Sequence, residues 1–389
     1  MTSARVRYGM VGGGPGAFIG AVHRAAAALD GEIDLVAGAF SSDADRSREQ
    51  GAALGLDPSR VYASWEEMIE QESRLPEERR IQFATIVTPN HLHHVQAAAL
   101  LEAGFHVVCD KPLTTTLEDA EELCRIVAER DAVFALTHNY TGYPMVKQAR
   151  GMIANGALGE IRKIVVEYSQ GWLATDLEST GHRQAAWRTD PARAGVAGAL
   201  GDIGTHAENL VGYVTGLHPE SLIADLTTFV DGRRLDDDAN LLIRYVGGAR
   251  GVLIASQVAL GEDNGLSLRV YGTDASLVWR HEAPETLWLL SDGPAVALRR
   301  GHEYLHPAAI PASRLPPGHP EGFIEAFANV YRNAGRTVAA VAAGRAPEPL
   351  DLDFPTVYDG ARGVHFLGRA VESAELGDWV DARYTPPGV

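Results

Sequence analysis

Cysteine is nearly absent: Cys109 and Cys124 are the only two in 389 residues, with no CxxC or zinc-ligand spacing, which argues against a disulfide framework. Basic residues are outnumbered, 34 against 51 acidic ones for a net charge of −17, and they occur at most as pairs such as Arg79–Arg80 and Arg299–Arg300. A phosphate backbone needs clustered Lys and Arg, so a nucleic-acid partner is not expected. The acidity itself serves solubility. No apolar run approaches the roughly 20 residues of a spanning helix, and the first residues lack the apolar core of a signal peptide. Neither a membrane nor export is therefore expected, and the location read from the sequence is cytoplasmic. What remains is ordinary globular material, 46% hydrophobic and 22% charged, long enough for two domains with cores of their own.

The stretch from Gly104 to Pro112, Gly-Phe-His-Val-Val-Cys-Asp-Lys-Pro, organises the chain. A short buried strand over 106–109 runs into a turn closed by Pro112, placing Asp110 and Lys111 at a strand's carboxyl end. Ligands sit beyond such ends in open α/β sheets. Upstream, a strand over 6–11 leads into Gly12-Gly13-Gly14-Pro15-Gly16-Ala17-Phe18-Ile19-Gly20 and an alanine-rich helix over 21–29. Strand, glycine turn and helix together form the context of a dinucleotide fingerprint: backbone approaches the pyrophosphate and the helix N-terminus offers free N–H groups. Gly12, Gly14, Gly16, Phe18 and Ile19 are the expected contacts.

A second strand, 33–40, ends in Ser41-Ser42-Asp43. The acid that holds a ribose 2′-hydroxyl is expected about 20 residues past the glycines. Ser41 stands there and neither binds that hydroxyl bidentately nor excludes a 2′-phosphate. Asp43 suits the first task and Arg46 the second, unless Asp43 caps the helix over 44–54. NAD and NADP both remain, with NAD favoured. A third strand, 83–87, ends in Thr88-Pro89-Asn90, and the next helix carries His91, His93 and His94. These histidines lack a carboxylate or cysteine at ligand spacing and do not share one helix face. No metal is expected, and His93 is read as a cofactor contact. A helix over 117–130 and a last strand over 133–137 complete an alternation that predicts a doubly wound parallel sheet in a domain spanning 1–138.

Residues 139–389 read as an α+β substrate-binding domain. His138, Asn139 and Tyr140 close the last parallel strand, and a helix over 145–155 follows. Strand-like runs at 162–169, 222–230, 239–245, 251–258, 266–271, 276–280 and 286–290 predict a large, mostly antiparallel sheet. Helices are expected near 202–215, 319–343 and 354–374, and an irregular loop over 301–318. Asp202-Ile203-Gly204-Thr205-His206 is the second constellation. At i and i+4 on one helix, the carboxylate and imidazole are expected to meet, fixing the histidine tautomer; the bland reading has Asp202 as an N-cap and His206 as a satisfied, partly buried histidine. Asn139, Tyr140, Trp187 and Arg188 are candidate polyol contacts or ordinary packing residues, and Thr189-Asp190-Pro191 reads as a turn.

Taken as an ordered set, these motifs resemble those of the Gfo/Idh/MocA oxidoreductases, the family of glucose–fructose oxidoreductase and inositol dehydrogenase. The resemblance runs through nearly the whole chain: glycine loop, Thr88-Pro89-Asn90 with a following His, acid–Lys111–Pro112, and Asp202 with His206. It implies a Rossmann domain and an open mixed sheet that makes the oligomer interface, giving a homodimer or homotetramer. It also implies Lys111, Asp202 and His206 as the catalytic set, with Asp110 where the family usually has a glutamate. The implied reaction moves a hydride between nicotinamide and a secondary hydroxyl of a sugar, glycoside or cyclitol. His206 is its acid/base and Lys111 the donor to the reacting oxygen, both also touching substrate. A keto-sugar reductase using the same residues, or a nucleotide-sensing regulator without turnover, are the alternatives. The glycine loop departs from the family's, being longer by about three residues between Gly12 and His23.

Overall fold

The structure is a computed structural model that describes residues 5–14 and 16–389, so Pro15 of the glycine loop lies outside the described residues. The first part alternates: β1 (Val6–Gly12), α1 (Phe18–Ala28), β2 (Ile33–Ala39), α2 (Ala44–Ala53), α3 (Trp65–Arg74) and β3 (Phe83–Val87). It continues with α4 (His93–Glu102), β4 (His106–Cys109), α5 (Leu117–Arg130) and β5 (Phe134–Leu136). The five strands are parallel in the order β2-β1-β3-β4-β5. Every residue of β3 is buried, as expected of a strand covered on both faces. The order reverses between β1 and β3, and the crevice beyond their carboxyl ends is where a doubly wound sheet takes its ligand.

The remainder comprises α6 (Pro144–Ala154), β6 (Ile161–Ser169), α7 (Arg183–Arg188), α8 (Pro191–Ala194) and α9 (Thr205–Thr215). Seven strands follow, β7 (Pro219–Thr227), β8 (Asp238–Tyr245), β9 (Arg250–Ser256), β10 (Gly265–Gly272), β11 (Ser276–Arg280), β12 (Thr286–Leu290) and β13 (Val296–Arg299). Two long helices, α10 (Phe323–Ala342) and α11 (Val357–Leu376), precede β14 (Val380–Asp381). The nine strands form one sheet, β13-β12-β11-β10-β6-β9-β8-β7-β14, antiparallel except where β6 runs parallel to β9. Along β8, Ala239, Leu241, Ile243 and Tyr245 are buried while Asn240, Leu242 and Arg244 face outward. The period-2 pattern thus selects the face that packs on α6, α9 and α11.

Several sequence expectations shift. The edge strands β13 and β14, four and two residues long, carry too little alternation to be read from sequence. The expected helix over 202–215 opens as a π turn, Leu200–Gly204, and becomes α-helical at Thr205. Around Thr189 the chain forms two short helices, with the Asp190 carboxylate capping α8. Helix α10 lies against the first domain, where Phe327, Tyr331 and Val338 share a core with Val6, Tyr8 and Val108. The last third of the chain thereby completes the nucleotide-type core.

Candidate active site

The glycine loop is shaped by close approach. Gly12 has φ +83°, and a Cβ there would sit 2.8 Å from Thr88 Cγ2. A Cβ on Gly20 would sit 2.4 Å from the Gly13 Cα, so this pair sets how tightly α1 packs on the loop. Gly14 lies against the end of β2, Gly16 and Phe18 are exposed at the helix entry, and Ile19 is half-buried. The cap residue of α1, Ala17, offers no side-chain bond and its first turn holds no acid. Its amides and positive dipole end are left to whatever occupies the crevice. A dinucleotide diphosphate fits this cradle. Ser41 accepts a bond from the Asp43 amide, and Asp43 caps α2 through the amides of Asp45 and Arg46. Of the two readings of Asp43, the cap is the one observed. Ser42 and Arg46 are exposed.

Thr88, Pro89 and Asn90 follow β3 on the other wall. Thr88 donates to Gln96, and Asn90 reaches across to the Ala194 carbonyl at 3.0 Å, tying the crevice to α8. His93, read from the sequence as a cofactor contact, has an architectural part in the crevice wall. The ring is buried, with one nitrogen 2.9 Å from the Pro112 carbonyl and the other 2.9 Å from that of Thr88. It holds the turns after β3 and β4 together. His94 pairs with Glu122 at 3.0 Å on the half-exposed side of α4.

Asp110 is also committed to the turn. It accepts from the Lys111 amide and the Thr137 hydroxyl, and His23 Nε2 stands 3.7 Å away. Burial would raise its carboxyl, but His23 and the Lys111 charge outweigh it and hold Asp110 below the usual carboxylate range. His23 itself is buried on α1 and bonded to the Tyr331 hydroxyl at 2.7 Å.

Past the cis Lys111–Pro112 bond's amide side, Lys111 extends into the cleft. Its Nζ donates to the Asp202 carbonyl oxygen at 2.5 Å and to Asp202 Oδ1 at 2.8 Å. The other carboxylate oxygen, Oδ2, accepts from Arg188 Nε at 3.1 Å and Gln257 Nε2 at 2.8 Å. Although burial opposes ionisation, Lys111 and Arg188 keep Asp202 charged, far below the ordinary carboxylate range. Among the described residues, no ion pair or hydrogen bond joins Asp202 to His206, contrary to the i, i+4 expectation. Two cations and an amide compete for the carboxylate, and the π turn gives it a different setting from a regular helix.

His206, buried on the first turn of α9, instead turns its Nδ1 to the Nδ1 of His138 at 3.3 Å. Burial, then the Lys111 charge, then His138 push His206 well below its usual titration range. His138 is lowered to about 3 by burial and by Lys111. Both rings are neutral at pH 7. Tyr140 packs edge-on against His206 with centroids 4.9 Å apart, and its hydroxyl joins Tyr168 and Asn264. Arg188 lies over Trp187 at 4.3 Å and near Trp172 at 5.8 Å, with Gln184 fastening its far end. Asn139 is buried, and its Nδ2 has no partner among the described residues.

Sequence reading therefore brings Lys111, Asp202, His206, Tyr140 and Arg188 to one place. It missed His138 as a partner of His206, together with Gln257, Tyr168, Asn264 and Trp172. These sit at or just beyond the ends of β5, β6 and β9 or before β10, and no spacing in the chain marks them.

A strand-end lysine from a doubly wound domain, facing an acid and a histidine from an α+β domain, defines a two-domain, dinucleotide-linked oxidoreductase. Residues 6–138 match the oxidoreductase family with an NAD-binding Rossmann fold, and residues 146–278 match the Gfo/Idh/MocA C-terminal domain. The chain belongs to the Gfo/Idh/MocA family. It is 33% identical to an uncharacterized oxidoreductase of Bacillus subtilis, over 97% of each chain. The inositol dehydrogenase homologue of Azotobacter vinelandii is similar in structure. Complexed with NAD+, it superposes with a TM-score of 0.93 at 40% identity over 97% of this chain and 98% of that one. Complexed with NADH and myo-inositol, the same homologue gives 0.90 at 39% identity, again over 97% and 98%. A levoglucosan dehydrogenase from Pseudarthrobacter phenanthrenivorans is 31% identical over 53% of this chain and 57% of its own.

Proposed function

We propose that this protein is an NAD-dependent dehydrogenase that oxidises a secondary hydroxyl of a cyclitol or sugar, with His206 as acid/base and Lys111 as donor to the reacting oxygen. The observation that carries the reading is the meeting of Lys111 and Asp202 across the two domains with His206 beside them, at the carboxyl end of β4. The bound nicotinamide supplies the hydride acceptor. The protein's own groups do the rest. An ammonium has three N–H donors; two of those of Lys111 are taken by Asp202, and the third is free for the substrate oxygen as negative charge builds on it. His206 carries no bond at Nε2 among the described residues and is neutral, so this nitrogen can take the hydroxyl proton. Asp202 holds Lys111 in place, and Arg188 with its two indoles forms a flat, partly polar wall suited to a ring bearing hydroxyls.

The A. vinelandii homologue complexed with myo-inositol, 39% identical with a TM-score of 0.90, favours a cyclitol over an anhydrosugar such as levoglucosan, whose dehydrogenase complexed with NADH and levoglucosan is 26% identical with a TM-score of 0.82 over a similar share of the chain. The same homologue's complex with NAD+ favours NAD over NADP. The outward face of the nine-stranded sheet, with Leu242 and Trp288 exposed, supports self-association through that face. The test is absorbance at 340 nm with NAD and NADP offered separately against inositols, free hexoses and glycosides. Reduction of NAD with an inositol is expected. Tight nucleotide binding with no turnover across the panel would turn the reading to a keto-sugar reductase or a sensor, and no nucleotide binding would end it.

A further inference from the structure

We infer that His138, rather than Asp202, is the residue that positions His206 and sets its tautomer. The inference rests on His206 being the acid/base, as proposed above. Two ring nitrogens 3.3 Å apart form a hydrogen bond only when one carries a proton and the other a lone pair. With the proton on His206 Nδ1 and the lone pair on His138 Nδ1, His206 presents a bare Nε2 to the cleft, the form a base must have. The opposite arrangement would protonate Nε2 and disable it. When the substrate hydroxyl gives its proton to Nε2, His206 becomes a cation with both nitrogens protonated, and its bond to His138 becomes charge-assisted. The usual helper of such a histidine, a carboxylate on the same helix, is engaged elsewhere: Asp202 is spent on Lys111, Arg188 and Gln257.

His138 is suited to the task because it stays neutral. It is buried at the end of β5 with Lys111 nearby, and protonating it would place a cation against both Lys111 and the product form of His206. Among the described residues, the other groups around His206 do not supply a second acceptor for Nδ1. Lys111, Asp202 and Asp110 act on it through charge, and Tyr140 and Tyr168 meet it with their rings, at 4.9 and 6.3 Å between centroids. His138 is fixed in turn by a perpendicular ring packing with His206 at 5.2 Å.

The test uses His138→Phe, His138→Asn and His138→Asp in the full chain, assayed with the polyol the wild type oxidises best. For His138→Phe, kcat is expected to fall roughly 10- to 100-fold, part of what general base catalysis contributes, with KM and NADH affinity little changed. The carbonyl of His138→Asn can accept from Nδ1–H and restores part of the loss. His138→Asp puts a carboxylate against His206 and moves the acidic limb of kcat/KM upward by about 1–2 pH units. Wild-type kcat and pH profile in folded His138→Phe, or an unmoved limb in His138→Asp, would overturn the inference. A readout independent of turnover is the 15N spectrum of labelled histidine in the NADH-bound protein: His206 is expected as the Nδ1–H tautomer, largely kept in His138→Asn and changed in His138→Phe. An Nε2–H tautomer of His206 in the wild type overturns the assignment whether or not a substrate has been found. Failure of the polyol screen with the Nδ1–H tautomer present would instead count against the proposed function alone.

Discussion

Lys111 Nζ stands 2.8 Å from Asp202 Oδ1, joining a turn of the nucleotide domain to the π turn that starts the active-site helix. Both side chains are largely withdrawn from water, 15% and 16% exposed. Removing one member of such a pair leaves the other as an uncompensated buried charge. Lys111→Met is expected to lower kcat/KM about 100- to 1000-fold, the range seen when an oxyanion donor is lost, while NADH still binds. Because Asp202 acts by holding Lys111, the double variant Lys111→Met/Asp202→Asn should be no worse than the poorer single one. Additive losses in that cycle would show that Asp202 has a separate task.

Arg188 links Asp202 to the aromatic wall. Its guanidinium lies flat on Trp187 while Nε serves the carboxylate. Arg188→Ala is expected to raise KM for the polyol about tenfold, with a smaller change in kcat. Arg188→Lys should not restore it, since an ammonium has no plane to stack and no fixed fork. Full recovery by lysine in steady-state kinetics would mean that only the charge matters.

Gly20→Ala tests the cradle. The added methyl would fall 2.4 Å from the Gly13 Cα, a backbone atom that cannot swing aside. A loss of roughly 1–3 kcal/mol in stability is expected from overpacking, with weaker nucleotide binding as α1 is pushed off the loop. Thermal melts with and without NADH give both quantities, and an unchanged NADH affinity would detach this contact from cofactor binding.

Ser41→Asp tests nucleotide choice. A carboxylate at the end of β2 would repel a 2′-phosphate and hold a 2′-hydroxyl. The ratio of kcat/KM for NAD over NADP is expected to rise at least about tenfold. An unchanged ratio would place the ribose away from Ser41.

Glu208 sets a pH dependence of stability. It sits half-buried on α9, in a cavity of about 450 Å³ that Arg150, Asp359 and Arg362 also line. Burial, and then Asp359, raise its carboxyl from 4.5 to about 8. The folded state therefore binds the proton more tightly than the unfolded chain, and stability falls as pH rises from 4.5 through about 8. His138 works in the other direction: lowered from 6.5 to about 3, it favours the folded state above 6.5 and withdraws that support as pH falls through this window. Denaturant midpoints should accordingly be highest between about pH 4.5 and 6.5, where the two slopes cancel, and fall on either side. Glu208→Gln is expected to flatten the alkaline side while leaving the acid side as it was. An equal change at pH 5 and pH 9 would locate its effect in packing rather than ionisation.

The local parts of this protein were legible in the chain. Strand, glycine turn and helix at residues 6–28, the buried strand into Asp110-Lys111-Pro112, and the period-2 runs of the large sheet each depend on neighbours a few residues away. Hydrophobic periodicity and turn chemistry specify them directly, and α5 falls on the residues its apolar spacing marks. Pairings between distant residues were not legible. Lys111 and Asp202 are 91 positions apart, His138 and His206 are 68, and Arg188 and Gln257 reach the same carboxylate from a short helix and a strand end. The i, i+4 rule was sound for an isolated helix, but it could not see that stronger partners for Asp202 arrive from other elements. Nor could it see that α10, late in the sequence, closes the core of the first domain. Sequence determines which elements form and which end of the parallel sheet is functional, because those follow from short-range sterics and burial. Which charge meets which, and which histidine serves which, is decided only when packing brings remote backbone ends together and excludes water from between them.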